Sequence, residues 1–263
     1  METFIGRRLN PLYEVKLIVD GRSHFYTLGK EEKWLPGVTS VLSAAIPKPQ
    51  LLPWALNMMA DNVRSALMSL HPSELLTETV IESIIKEGKD IYKKKSAEAT
   101  DIGGRVHQAI DRIVKGEQPE PSYLSDIGPA IHGFLDWKAS HSLTIELGDT
   151  KIGSKLFGYG GSLDMVAFDG DEPIIFDFKT NKKRKDRDHG IYPETAYQLA
   201  AYAQAFQETY GLPVKAVYAL WLNKEKPEFK AVKISNIQAC FEGFLAALKL
   251  YNLSKWEKFE ETI

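Results

Sequence analysis

Two aspartates and a lysine near the middle of the chain are the side chains that a divalent cation and a phosphate ester would need. They lie in the segment GYGGSLDMVAFDGDEPIIFDFKT, residues 158–180, where Asp164 is followed by Asp177 and, two residues later, Lys179. Side chains alternate along a strand, so an extended Ile174–Lys179 places Asp177 and Lys179 on one face and Phe178 on the other. A hairpin turning at Asp169-Gly170-Asp171 would bring Asp164, six residues before Gly170, nearly opposite Asp177, seven after it. Two carboxylates on neighbouring strands beside an ammonium suit Mg2+ or Mn2+, since Mg2+ takes few carboxylates and keeps several waters. The chemistry expected of such a group is attack of an activated water on a phosphodiester, with Lys179 orienting the water or offsetting transition-state charge.

Spacing alone does not select these residues. Asp136-Trp137-Lys138 and Asp149-Thr150-Lys151 repeat the Asp-x-Lys pattern, and Asp136 precedes Asp149 by the same interval that separates Asp164 from Asp177. The surrounding pattern selects. Asp136 lies in a stretch of helical period and Asp149 follows Gly148 at an expected turn. Asp177 alone ends a continuous apolar run of the kind found in a buried central strand. Asp164 alone follows a glycine-rich approach, which would leave room for a substrate backbone.

The elements that must carry these residues follow from period and punctuation. Tyr13–Leu28 reads as a β-hairpin turning at Asp20-Gly21. A short helix after Pro36-Gly37 has Thr39 or Ser40 either as its cap or as a phosphate donor at its start. Helices are expected over Leu51–Leu70, Glu74–Glu87, Asp90–Lys115 and Tyr123–Ser140, the third containing the unusual pair Gly103-Gly104, read as a kink or a close approach. Strands follow over Leu143–Gly148, Ile152–Phe157, Gly161–Phe168 and Pro173–Lys179. A helix over Glu194–Tyr210, strands over Val214–Leu222 and Phe229–Ile234, and a last helix from a Ser235 cap to Lys258 complete the order. The fold class expected is α/β, with helices first and a sheet second.

Composition narrows the partners. The 263 residues are 44% hydrophobic and 26% charged, with 33 basic against 35 acidic residues and a net charge of −2. That is globular composition, and it argues against coating nucleic acid by overall charge. The one cysteine, Cys240, permits no internal disulfide and no cysteine-held cluster, and suits a reducing compartment. No apolar run approaches the length of a membrane span, and the first twelve residues lack a signal-peptide core, so a cytoplasmic protein without membrane contact is expected.

With these residues assembled, the chain resembles the PD-(D/E)xK nuclease superfamily, in particular its RecB-like exonuclease branch, which includes CRISPR-associated, mitochondrial and phage members. Besides the central segment, Gly103-Gly104-Arg105-Val106-His107 resembles the branch's upstream G-x-x-x-H helix. Gln198-Leu199-Ala200-Ala201-Tyr202 resembles its Q-x-x-x-Y helix, and Pro36–Leu42 with Trp54 its entry region. The resemblance implies a restriction-endonuclease-like mixed β-sheet core flanked by helices, with an N-terminal helical layer or arch and a small N-terminal hairpin. It implies a single nuclease domain over 1–263, divided into an N-terminal part (1–142) and a catalytic core (143–263).

It further implies Mg2+ or Mn2+ held by Asp164, Asp177, the Phe178 carbonyl and His107, with Lys179 as the catalytic cation. Gln198 would steady Lys179 or contact DNA, and Tyr202 would pack or bind DNA nearby. Glu146 is a candidate outer carboxylate. Relatives that close an iron–sulfur cluster do so with four cysteines, so this chain falls with the cluster-free members. The run Lys179, Lys182, Lys183, Arg184, Lys185 and Arg187 reads either as a solvated loop or as a phosphate-gripping one. A second cluster, Lys86, Lys89, Lys93, Lys94 and Lys95, could line a channel, and Trp34, Trp54 and Tyr92 are either core or stacking residues.

The activity implied is metal-dependent exonucleolytic hydrolysis of DNA, most naturally at single-stranded ends, in replication, recombination or repair, within a bacterial or phage-infected cell and alongside unidentified replication or recombination proteins. The alternatives are a non-catalytic DNA-binding or assembly subunit of the same fold, and a structure-specific endonuclease.

Overall fold

A computed structural model describes residues 9–21, 23–71, 76–119, 124–141, 143–226 and 228–254, with backbone only at 124–126 and 146–147. The chain divides into two compact units, Met1–Ile46 with Arg105–Ile263, and Pro47–Gly104.

The larger unit is built on a mixed five-stranded sheet in the order β4-β5-β6-β7-β8. These are β4 (Thr144–Ser154), β5 (Tyr159–Asp169), β6 (Glu172–Asn181), β7 (Ala216–Asn223) and β8 (Phe229–Lys233). Neighbours run antiparallel except β6 and β7, which are parallel and are joined through helix α5 (Glu194–Tyr210). Pro173–Phe178 of β6 is buried at every residue, because helices cover both faces of this strand. On one face, Leu199, Ala201 and Phe206 of α5 and Phe244 of α6 (Ile237–Ser254) pack with Ile175, Val217 and Trp221. On the other, Phe134 and Trp137 of α4 (Leu124–Ser140) meet Phe178 and Phe176 edge to face. A small antiparallel sheet of β1 (Val15–Asp20), β2 (Ser23–Leu28) and β3 (Leu35–Pro36) precedes α1 (Val38–Ala45). The expected mixed α/β core with a small N-terminal β-element is the architecture observed.

Several expected boundaries are corrected. The helices expected over Glu74–Glu87 and Asp90–Lys115 are one helix, α3 (Glu78–Val114), which runs through Gly88 and Gly103-Gly104 without a break. Gly88 is a close approach rather than a stop, since a Cβ there would lie 3.0 Å from Val63 Cγ2 and 3.3 Å from Met59 Cγ. Around Gly103 and Gly104 there is no kink, and the space that a Cβ would enter is open.

The two strands expected over Leu143–Gly148 and Ile152–Phe157 are the single β4, irregular between Ile145 and Leu147 and with Asp149 at φ 35°. At Gly148 the Asp111 side chain of α3 comes close, its Oδ1 2.4 Å from where a Cβ would stand. α1 is capped by the Gly37 backbone, so Thr39 and Ser40 lie inside its first turn and cap nothing. α6 is capped by Asn236, whose Oδ1 accepts from Ala239 N at 3.2 Å, and not by Ser235.

The smaller unit consists of α2 (Leu51–Ser69) and the first part of α3, in contact at Gly88 and through Trp54 and Tyr92. None of α2's residues is fully buried. Among the described residues, no helix is long and apolar enough to cross a membrane.

Candidate active site

The site forms where two strands part. Backbone pairing of β5 with β6 stops at Met165–Phe176, while β5 stays on β4 as far as Tyr159 and β6 stays on β7 as far as Asn181. Asp164 and Asp177 are the next residues on either side of this fork, the near-opposite placement that counting from Gly170 predicts. Beyond the last ladder pair, the Phe178 N–H donates to the Asp164 carboxylate, at 2.7 Å from Oδ2, in place of a strand carbonyl. The other oxygen, Oδ1, lies 3.4 Å from His107 Nδ1 on α3. Phe178 faces away from Asp177, as alternation requires, with its ring edge to face with His107 at 5.5 Å.

On the opposite face, Asp177 is 2% exposed and its Oδ2 touches the Lys179 ammonium at 2.5 Å. Gln198, from the first half of α5, binds both partners of that pair. Its Oε1 accepts from Lys179 Nζ at 3.1 Å, and its Nε2 donates to Asp177 Oδ1 at 3.1 Å and to the Tyr202 hydroxyl at 3.0 Å. Gln198 and Tyr202 are one helical turn apart, so a single face of α5 supplies both. The β6–α5–β7 crossover is what returns that face to the end of β6.

Electrostatics separate the two carboxylates. Burial pushes Asp177 up to about 6, with the neighbouring Asp164 charge adding to the rise and Lys179 only partly opposing it. Asp164 is partly buried, but hydrogen bonding and charge attraction from His107, with Lys179 and the Phe178 N–H, outweigh that burial and hold it below its ordinary value. Burial pulls His107 down, yet its bond to Asp164 and the two carboxylate charges raise it overall. Burial likewise opposes the charge on Lys179, and Asp177 and Asp164 overcome it. The Tyr202 phenol is pushed well up by burial and by the Asp177 charge, so it stays neutral.

The donor set fits a hard divalent cation. Apart from the ammonium contact, Asp177 Oδ2 is buried without a hydrogen-bond partner. Among the described residues, no three His, Cys, Asp or Glu side chains form a ready cage. That pattern is what Mg2+ tolerates, because it binds through one or two carboxylates plus water and substrate oxygens. A cavity of about 250 Å³ lined by His107, Asp111, Asp164 and Phe178 adjoins the fork.

Other expected residues fall elsewhere. Thr39 and Ser40 make no hydrogen bond to this cluster. Lys182 pairs with Glu225 at 2.5 Å and Lys183 with Asp188 at 3.5 Å, both on the exposed loop after β6. Tyr202 is buried beneath β5, its ring 2.6 Å from where a Cβ on Gly161 would stand. The space left by the glycines is therefore filled by tyrosines and not by a substrate backbone, since a Cβ on Gly160 would likewise meet the Tyr26 ring at 2.4 Å. Tyr26 was not among the expected site residues. Its hydroxyl lies 3.3 Å from Ser162 Oγ, two residues before Asp164, and the only sequence signal for it was the Gly160-Gly161 pair that needed a filler. The side chain of Glu146 lies outside the described residues.

The sequence model of the PD-(D/E)XK nuclease superfamily matches residues 130–263, just over half of the chain and the part that carries Asp164, Asp177, Lys179, Gln198 and Tyr202. The chain belongs to that superfamily. The match begins inside α4, so it takes in the whole five-stranded sheet of the nuclease fold and leaves out His107. Among solved structures the chain is similar to SSO0001, with 9% identity and a TM-score of 0.37 over 76% of this chain and 85% of that one. It is also similar to a "Putative exonuclease" from Eubacterium rectale, with 12% identity and a TM-score of 0.36 over 73% and 70%. No curated protein matches it.

Proposed function

We propose that this nuclease-superfamily chain is a metal-dependent DNA exonuclease of the RecB-like type, acting at single-stranded ends in replication, recombination or repair. The observation that carries the reading is the convergence of Asp164, Asp177 and Lys179 at one strand fork, with Gln198 bridging the acid–ammonium pair. Superfamily membership supports nuclease chemistry on DNA. The exonuclease mode and the choice of unpaired ends rest on the motif resemblance.

Asp164, Asp177 and the Phe178 carbonyl would hold Mg2+ or Mn2+, with His107 completing the set. A divalent ion held there supplies water activation and offsets charge on the scissile phosphate. The protein's own contribution is to fix the ligands and the cation. The Phe178 N–H orients Asp164, and Gln198 keeps Lys179 from swinging away from Asp177. The Lys179 ammonium is then positioned to donate to a phosphate oxygen or to the attacking water as negative charge develops. Asp177 would hold the ion as its carboxylate, so below about pH 6 it would have to give up a proton to do so. Gln198 cannot itself act as acid or base and works by positioning, backed by the neutral Tyr202.

The test is cleavage of end-labelled single- and double-stranded DNA with Mg2+, Mn2+ or EDTA, comparing wild type with Asp177→Ala and Lys179→Ala proteins of unchanged circular dichroism. Metal-dependent shortening from linear ends, with closed circles spared, is expected. Cutting of circles would assign an endonuclease. DNA binding without loss of substrate in any metal would assign the non-catalytic subunit.

A further inference from the structure

The smaller unit carries a surface that the candidate active site does not use. Trp54 of α2 and Tyr92 of α3 meet edge to face, with centroids 5.5 Å apart and planes at 76°. Trp54 nevertheless keeps 40% of its surface exposed. Lys86, Lys89 and Lys93 of α3 follow one another at intervals of three and four, so they form one stripe, and Lys89 lies one turn before Tyr92. All three are exposed. Lys86 and Lys89 have no carboxylate partner among the described residues, and Lys93 reaches only Asp90, at 3.3 Å.

An exposed indole packed on Tyr92, with the Lys89 ammonium one helical turn from that tyrosine, fits one class of partner better than others. Lysine is depleted from the cores of protein–protein interfaces, where burying its charge is costly. Phosphates neutralise that charge and release counterions. A duplex keeps its bases stacked on one another, whereas an unpaired strand can stack a base on an aromatic side chain.

We propose that this face of α2 and α3 is a second DNA-contact surface, taking an unpaired strand with a base against Trp54 and its phosphates along Lys86, Lys89 and Lys93. The choice of DNA as the polyanion rests on the function proposed above. The contact itself lies wholly within the smaller unit and needs neither metal nor catalysis.

The experiment is fluorescence anisotropy of the full chain with labelled oligo-dT and with a blunt duplex of equal length, in EDTA so that nothing is cut. Trp54→Leu is expected to weaken oligo-dT binding about tenfold and to leave the duplex nearly unchanged. The double variant Lys86→Glu/Lys89→Glu, on exposed positions that do not threaten folding, is expected to weaken binding and reduce the salt dependence by about one to two phosphate contacts. Oligo-dT affinity within twofold of wild type for both proteins overturns the proposal. So does an equal loss on strand and duplex, or a change of oligomeric state in Trp54→Leu with DNA affinity unaltered. Because cleavage is not read, failure here leaves the Asp177→Ala test untouched, and the reverse holds.

Discussion

Strand β6 and the loop that follows it present the same residue types in opposite settings. At the end of β6, the part-exposed Lys179 pairs with an Asp177 carboxylate that is almost entirely out of water, and Gln198 bridges the two. A few residues on, the carboxylates are exposed: Asp186 takes a two-pronged contact from the part-buried Arg184, with both distances 2.9 Å, and Asp188 meets Lys183. Exposed pairs are weak, screened by salt and replaceable by water. A buried pair that loses one member leaves an uncompensated charge. The lesson is that burial of the carboxylate, and not the presence of an acid–base pair, marks the candidate chemistry.

The sharpest way to break this contrast is mutation on either side of it. Asp177→Ala or Lys179→Ala is expected to reduce the single-turnover cleavage rate by about a thousandfold or more, whereas Lys182→Ala and Lys183→Ala should stay within about tenfold. Equal losses on both sides would refute the distinction.

Gln198→Ala should come next. It should lower kcat by about ten- to a hundredfold with little change in KM, since it removes positioning and not binding. Gln198→Glu, which keeps the acceptor for Lys179 but places a third carboxylate beside Asp177, should not restore the rate.

Metal binding offers a comparison without catalysis. Saturating Mn2+ at about a hundredfold over its Kd should stabilise the wild type by about 3 kcal/mol, a rise in Tm of several degrees. Asp177→Ala should lose that shift, and variants of the basic loop should keep it.

The pH dependence is a smaller effect with a definite sign. Asp177 sits near 6 in the metal-free fold against 3.8 ordinarily, so between those values the folded state holds a proton that the unfolded chain has released. Its contribution to stability is therefore present below about pH 4 and lost as pH rises through about 6. The raised His107 acts in the same direction at higher pH, and the lowered Asp164 acts oppositely, its contribution being lost only in acid below its depressed value. Metal-free Tm should fall between pH 5 and pH 8, while apparent Mn2+ affinity rises over that interval with release of protons. Calorimetry in buffers of different ionisation enthalpy reads that release. A smaller effect still is expected for Asp186→Ala, whose midpoint in denaturant unfolding should stay close to that of the wild type.

The buried strand and the turn made the central site legible. Ile174–Phe178 could only be an interior strand, and Gly170, at φ 63°, fixes the count that sets Asp164 against Asp177. The α5 boundaries were equally clear, because Gly211 in the left-handed region ends the helix. What the sequence hid were contacts between distant segments. Gly88 and Gly148 look like breaks, yet each admits a neighbour, Met59 and Val63 in one case and Asp111 in the other. The glycines before Asp164 looked like space for a ligand until Tyr26 and Tyr202 were seen to occupy it. The loop lysines looked like free positive charge, because nothing in the local pattern reveals Glu225, forty-three residues beyond Lys182, as a partner.

The Phe178 amide has a side-chain acceptor where its neighbours along the seam have a strand. The join between β5 and β6 is thus fastened at its open end by a carboxylate that also stands ready to serve as a ligand. Whatever recruits or removes that carboxylate will loosen or tighten a backbone position in the middle of the sheet. Deuterium uptake at this one amide would therefore register occupancy of the fork, turning a detail of strand pairing into a built-in reporter.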